Sequence, residues 1–86
     1  MKLKIFTVYD SKAETYLPPF YMKTKGEAVR GWITTLNDPQ SSFCQYPADF
    51  TLFELGDYDD QDSSFNLHET KQVIGNGLEY KNAQNN

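Results

Sequence analysis

Apolar and polar positions alternate at the start of the chain. In Lys2-Leu-Lys-Ile-Phe-Thr-Val-Tyr9 an extended backbone places Leu3, Ile5, Thr7 and Tyr9 on one side and Lys2, Lys4, Phe6 and Val8 on the other. β-Branched and aromatic types dominate, so a strand is predicted over 2–9. The first face reads as core, the second as half covered. The period then changes: Ala28, Val29, Trp32, Ile33 and Leu36 recur at helical spacing. Thr24-Lys-Gly-Glu27 ahead of them has the form of a capping box, and Asn37-Asp-Pro39 ends the pattern. A helix is predicted over 25–36, with Trp32 in its buried stripe.

Residues 10–22 between these elements read as an ordered loop. Pro18-Pro19 forbids helix there and stiffens the backbone, and Tyr16, Leu17, Phe20 and Tyr21 surround the pair. Residues 40–49 read as a second loop. A strand is predicted over 50–55, with Phe50 and Leu52 opposite Phe53 and Leu55, followed by an acidic turn from Gly56 to Ser64. Phe65-Asn-Leu67 begins a strand over 65–69 that pairs with 50–55 as a hairpin. Asn76-Gly77 after Val73-Ile74 signals a tight turn, so Leu78-Glu-Tyr80 is expected as a last edge strand, closing a C-terminal hairpin. Residues 81–86 form a polar flexible tail. The fold class is α+β: one domain over 1–80, in the order β-α-β-β, with one helix packed on a small, mostly antiparallel sheet.

A chain of 86 residues is one small, marginally stable domain, so a homodimer or burial of one face on a partner would help it. Its 15% aromatic content is that of a folded chain rather than a disordered one. The single cysteine, Cys44, has no partner for an internal disulfide, and Lys2 and Lys4 break up an apolar leader. No apolar run approaches the roughly 20 residues of a membrane span. No membrane association and a reducing, cytosolic compartment are therefore expected.

Charge changes this picture. The first 32 residues hold six cations (Lys2, Lys4, Lys12, Lys23, Lys25, Arg30) against three acids, a formal +3. The rest hold nine acids against Lys71 and Lys81, a formal −7. Cations interleaved with aromatic faces suit a single-stranded nucleic-acid groove, one set neutralising phosphates and the other stacking on bases. On that reading Phe6, Tyr9, Tyr16, Phe20 and Tyr21 are the stacking candidates, and helix N-terminal amides near Lys25 and Gly26 add a phosphate contact. The plainer reading places Phe6, Tyr9 and Phe20 in the core and leaves the lysines as a solubilising surface. The acidic segment 57–62 would repel nucleic acid from its end of the molecule. Its Asp57-x-Asp59-x-Gln61 spacing resembles an EF-hand loop, but the sixth position lacks Gly and His68 stands where a closing Glu belongs.

Enzyme chemistry finds little support. His68 and Cys44 are single residues of their types, no Cys/His cluster has zinc spacing, and Gly75-Asn-Gly77 lacks the context of a phosphate-binding loop. A non-enzyme without metal or cofactor is expected.

Met1-Lys-Leu-Lys-Ile-Phe-Thr-Val-Tyr-Asp10, Leu17-Pro-Pro-Phe20, Lys25-Gly-Glu-Ala-Val-Arg30, Asn37-Asp-Pro39 and Asp49-Phe-Thr-Leu-Phe-Glu-Leu-Gly56 occur together in that order. With these segments the chain closely resembles the small non-structural protein of gokushoviruses, microviruses with single-stranded DNA genomes. The resemblance implies a phage accessory protein that binds single-stranded DNA during genome replication or packaging in the host cytoplasm. It transfers no functional residues. The competing expectation is an interaction module whose Tyr16-Leu-Pro-Pro-Phe-Tyr21 segment docks on a viral or host protein without nucleic acid.

Overall fold

The structure, a computed structural model, describes residues 1–81; residues 82–86 of the expected tail lie outside the described residues. Strand β1 (Lys2–Asp10) forms the spine, with β2 (Thr15–Tyr16) and β3 (Phe20–Met22) along one edge and β4 (Phe50–Asp59) along the other. The outer strand β5 (Ser64–Asn76) pairs with β4, and all pairings are antiparallel. Helix α1 (Lys25–Leu36) packs on one face. A short helix α2 (Ser42–Gln45) and a 3-10 turn (Pro47–Asp49) lead back into β4, and a helical turn α3 (Gly77–Tyr80) follows β5. The expected α+β fold with one main helix on an antiparallel sheet is what the chain adopts.

Helix α1 has the predicted bounds because its two ends are chemically marked. The Thr24 hydroxyl accepts the Glu27 N–H at 3.1 Å, and the Glu27 carboxylate accepts the Lys23 N–H at 3.2 Å. That carboxylate already complements the helix N-terminus, where an anion site had been expected. Ala28, Trp32 and Leu36 are buried against Phe6, Val8, Phe50 and Leu52. The helix core thus takes Phe6 and Val8, from the strand face expected to be half covered.

The expected loop 10–22 is a hairpin arm. Tyr16 pairs with Tyr9, the Leu17 N–H donates to Val8 O at 2.8 Å, and Phe20 pairs with Phe6. Pro18-Pro19 only interrupts one edge strand, a position that tolerates residues without an N–H. The acidic segment is also partly strand: Asp57, Tyr58 and Asp59 extend β4 beyond the predicted end at 55.

At the C-terminal end, β5 runs on to Asn76 and, among the described residues, a helical turn follows it where a second hairpin was expected. Asn76 Oδ1 accepts the Leu78 N–H at 3.0 Å and the Glu79 carboxylate accepts the Asn76 N–H at 2.9 Å, so this Asn-Gly step starts a helical turn. Gly77 is needed there because a Cβ would lie 2.3 Å from Pro47 O. Lys81, expected in the tail, is tied down through hydrogen bonds from Nζ to Cys44 O at 2.8 Å and Sγ at 3.3 Å.

One irregularity in β4 sets up the rest of the molecule. Ile5 pairs with Gly56 and Phe6 with Glu54, so Leu55 is an extra residue in β4, a β-bulge. The bulge shifts the alternation by one, and Tyr58 therefore shares a sheet face with Phe53 despite their odd separation. Gly56 beside it has φ +155°, and a Cβ there would stand 2.2 Å from Asn66 O and 2.7 Å from Leu67 Cα. Gly56→Ala combines backbone strain with a clash against the neighbouring strand. It is expected to destabilise the protein by about 3 kcal/mol, read as a lower urea midpoint; an unchanged midpoint would contradict this account of the bulge.

Candidate nucleic-acid interface

Among the described residues there is one main helix, and it covers one face of the sheet. Phe20 and Met22 in β3 turn towards the core, and Tyr21 between them turns the opposite way. Ile5, Thr7 and Tyr9 of β1 share that opposite face with Phe53 and Tyr58 of β4 and with Phe65, Leu67 and Val73 of β5. Ile5 and Thr7 are nonetheless buried. The outer residues are open: Tyr16 is 46% exposed, Tyr21 43% and Phe65 57%.

The rings of this face form two groups. In the first, Tyr16 lies 4.7 Å from Tyr9 and 6.0 Å from Phe53 between centroids. In the second, Tyr58 lies 5.9 Å from Tyr21 and 4.9 Å from Phe65, beside a shallow depression that Leu3 and Ser63 help to line. Neighbouring strands hold each group, so its rings are oriented by the backbone rather than by a mobile loop. Ring faces fixed on an exposed sheet are surfaces on which unpaired bases stack.

The charges are arranged less simply. Among the described residues, Lys71 is the cation set over the rings, its Nζ 5.3 Å from the Tyr16 centroid and 5.8 Å from that of Phe53. Lys4 faces Asp57 across the strand pair at 3.7 Å. Asp59 ends β4, and the turn after it, carrying Asp60 and Asp62, closes the β4–β5 hairpin at the end of the second ring group. Hydrogen bonds from the hydroxyl and N–H of Ser64 hold the Asp62 carboxyl below its ordinary pKa. A hydrogen bond to Asp60 at 2.9 Å raises the Met1 amino group above its ordinary pKa.

The expected site residues are divided between places. Tyr16 and Tyr21 are on the open face. Phe6 is 0% exposed and stacks on the half-buried Phe20 at 5.7 Å, so both are core and no base can reach Phe6. Lys25 and Arg30 are exposed on α1, on the far side of the sheet from Tyr16 and Tyr21. Lys2, Lys12 and Lys23 are exposed at the first residue of β1, in the β1–β2 turn and before the helix. The single basic, aromatic groove expected from the first 32 residues is therefore not assembled. Phe53, Tyr58, Phe65 and Lys71 join Tyr16 and Tyr21 instead. For Phe53 a signal was present in strand 50–55, apolar on both faces in a chain with one long amphipathic helix to cover them.

An apolar cavity of about 250 Å³ lies on the helix side, between Leu17, Pro18, Phe20, Trp32 and Phe43. It is separate from the open face.

The family described as Phage ORF5 protein matches residues 3–80. The chain belongs to the Phage ORF5 family. The match spans β1 through α3, so both ring groups and the helix that backs them lie within the family's domain. No curated protein and no solved structure matches this ORF5 protein. Among its described residues no helix is long and apolar enough to cross a membrane.

Proposed function

We propose that this phage ORF5 protein is a non-structural accessory protein that binds single-stranded DNA with low sequence specificity on the open face of its sheet. It acts without catalysis, in the host cytoplasm, during replication or packaging of a microvirus-type genome. The observation that carries this reading is the pair of strand-held ring groups, Tyr9/Tyr16/Phe53 and Tyr21/Tyr58/Phe65, left open on a sheet whose other face is covered. Every base has a π-face, so such a surface is tolerant of sequence. The resemblance to gokushovirus proteins supports the same reading, and a homodimer would present two such faces to one strand.

The test is fluorescence anisotropy of a labelled single-stranded oligonucleotide over a range of salt. Single strands release counterions with a slope of about −0.7 per phosphate contacted, so six phosphate contacts from the basic stretch would give a slope near −4. Stacking on the open face with a single cation nearby is expected to give a slope of about −1. Absence of binding at low salt would remove the proposal.

A second reading has one observation in its favour. Phe65, Leu67 and Val73 make an exposed apolar strip on a protein of formal charge −4, which suits a protein partner better than a polyanion. On that reading a viral or host protein covers the same face, and DNA does not bind.

A further inference from the structure

Strand β5 leaves its register with β4 for four residues. Glu54 pairs with Gln72 and Gly56 with Leu67, so His68, Glu69, Thr70 and Lys71 stand opposite the single residue Leu55. A bulge of that length gives up ladder hydrogen bonds and needs other anchors to keep a defined shape. It has one at each end. His68 Nε2 is 2.8 Å from Glu54 Oε2, a carboxylate 8% exposed beside the core. At the other end the Lys71 ammonium rests over the Tyr16 and Phe53 rings.

We infer that this bulge is a clamp for the nucleic-acid backbone: His68 fixes its base on Glu54, and Lys71 moves from the ring faces to a phosphate when a base stacks on Tyr16. The inference rests on the single-stranded-DNA reading and assigns that face its phosphate contact. A base arriving on Tyr16 must displace the ammonium, and the nearest place for a displaced cation is the phosphate the base brings with it. An exposed cation–ring contact is weak, so exchanging it for a phosphate contact favours binding. Lys71 is the residue that contacts DNA. His68 is a positioning residue, because a bulge freed from Glu54 would let Lys71 wander.

Anisotropy with a labelled oligothymidylate tests this in the full chain. Lys71→Met keeps an apolar stem over the rings and removes the charge. It is expected to weaken binding roughly tenfold and to flatten the salt slope by about 0.7, one phosphate on a single strand. Lys71→Arg should restore both. His68→Ala should flatten the slope in part with its melting transition retained, and His68→Gln, which still donates to Glu54, should recover it. If His68→Ala does not fold, the Lys71 variants alone decide. Lys71→Met with wild-type affinity and slope, while Tyr16→Ala binds weakly, would overturn the clamp and leave the stacking face intact. Failure of the wild-type protein to bind at low salt would overturn both.

Discussion

Tyr16→Ala combined with Tyr58→Ala is expected to lower affinity for single-stranded DNA by roughly two orders of magnitude, with the fold retained. The two residues sit in different ring groups, and stacking is worth about 1–3 kcal/mol per base, so independent losses sum to about 2–6 kcal/mol. Tyr16 is exposed and Tyr58 only half buried, so the stability change should be small beside the binding change. Titrations with one oligonucleotide, alongside thermal melts, separate the two effects. Lys25→Ala with Arg30→Ala is the control: both residues lie on α1, behind the sheet, and should leave affinity within about twofold. The opposite outcome, unchanged binding in the tyrosine pair and a large loss in the helix pair, would return the site to the basic stretch.

Phe6→Ala is expected to act on the fold instead. Phe6 is fully buried among Val8, Trp32, Leu36, Leu52 and Phe20, and its removal leaves a cavity costing about 3–5 kcal/mol. A domain of this length has about 4–13 kcal/mol of total stability, so the variant should be partly or wholly unfolded at physiological temperature. Urea denaturation followed by tryptophan fluorescence reads this directly, because Trp32 shares the same core. A Phe6→Ala protein of wild-type stability that had lost DNA binding would mean that the ring reaches solvent after all.

The two aromatic residues most alike in the sequence argument thus have opposite fates. Phe6 and Tyr16 are both in the basic, aromatic first third, and composition cannot separate them. Tertiary structure does, because the helix can cover only one face and it covers the one bearing Phe6, Val8 and Leu52. The strand pattern pointed the other way, to Leu3, Ile5, Thr7 and Tyr9 as the core face, because apolar side chains stand at both Ile5 and Phe6. A bulge at Leu55 then decided which ring of β4 joins which face, and neither its place nor its effect can be read from alternation alone.

Local chemistry was the more legible layer. Thr24 and Glu27, the 3.6-residue stripe and Asn37-Asp-Pro39 place helix α1 because capping and periodicity are interactions between near neighbours. The same kind of signal lay in Asn76-Gly-Leu-Glu79, a capping pattern, but its Asn-Gly step also suits a hairpin turn. Contacts from Asn76 Nδ2 to Ala48 O and Phe50 O favour the helical turn, and those partners are 28 and 26 residues away. Pro18-Pro19 misled for a related reason: prolines exclude helix and central strand but not an edge, and only the pairing with β1 shows that this is an edge.

The sequence by itself determined the helix, the antiparallel α+β class and the aromatic wealth of a strand-rich chain, since each follows from short-range periodicity and capping. Only the tertiary structure decided which rings are core and which are surface. It also decided that Lys71, rather than the cations of the first 32 residues, stands over the exposed rings. That choice depends on strand register and on which sheet face the single long helix covers, and both are set by contacts between residues far apart in the chain.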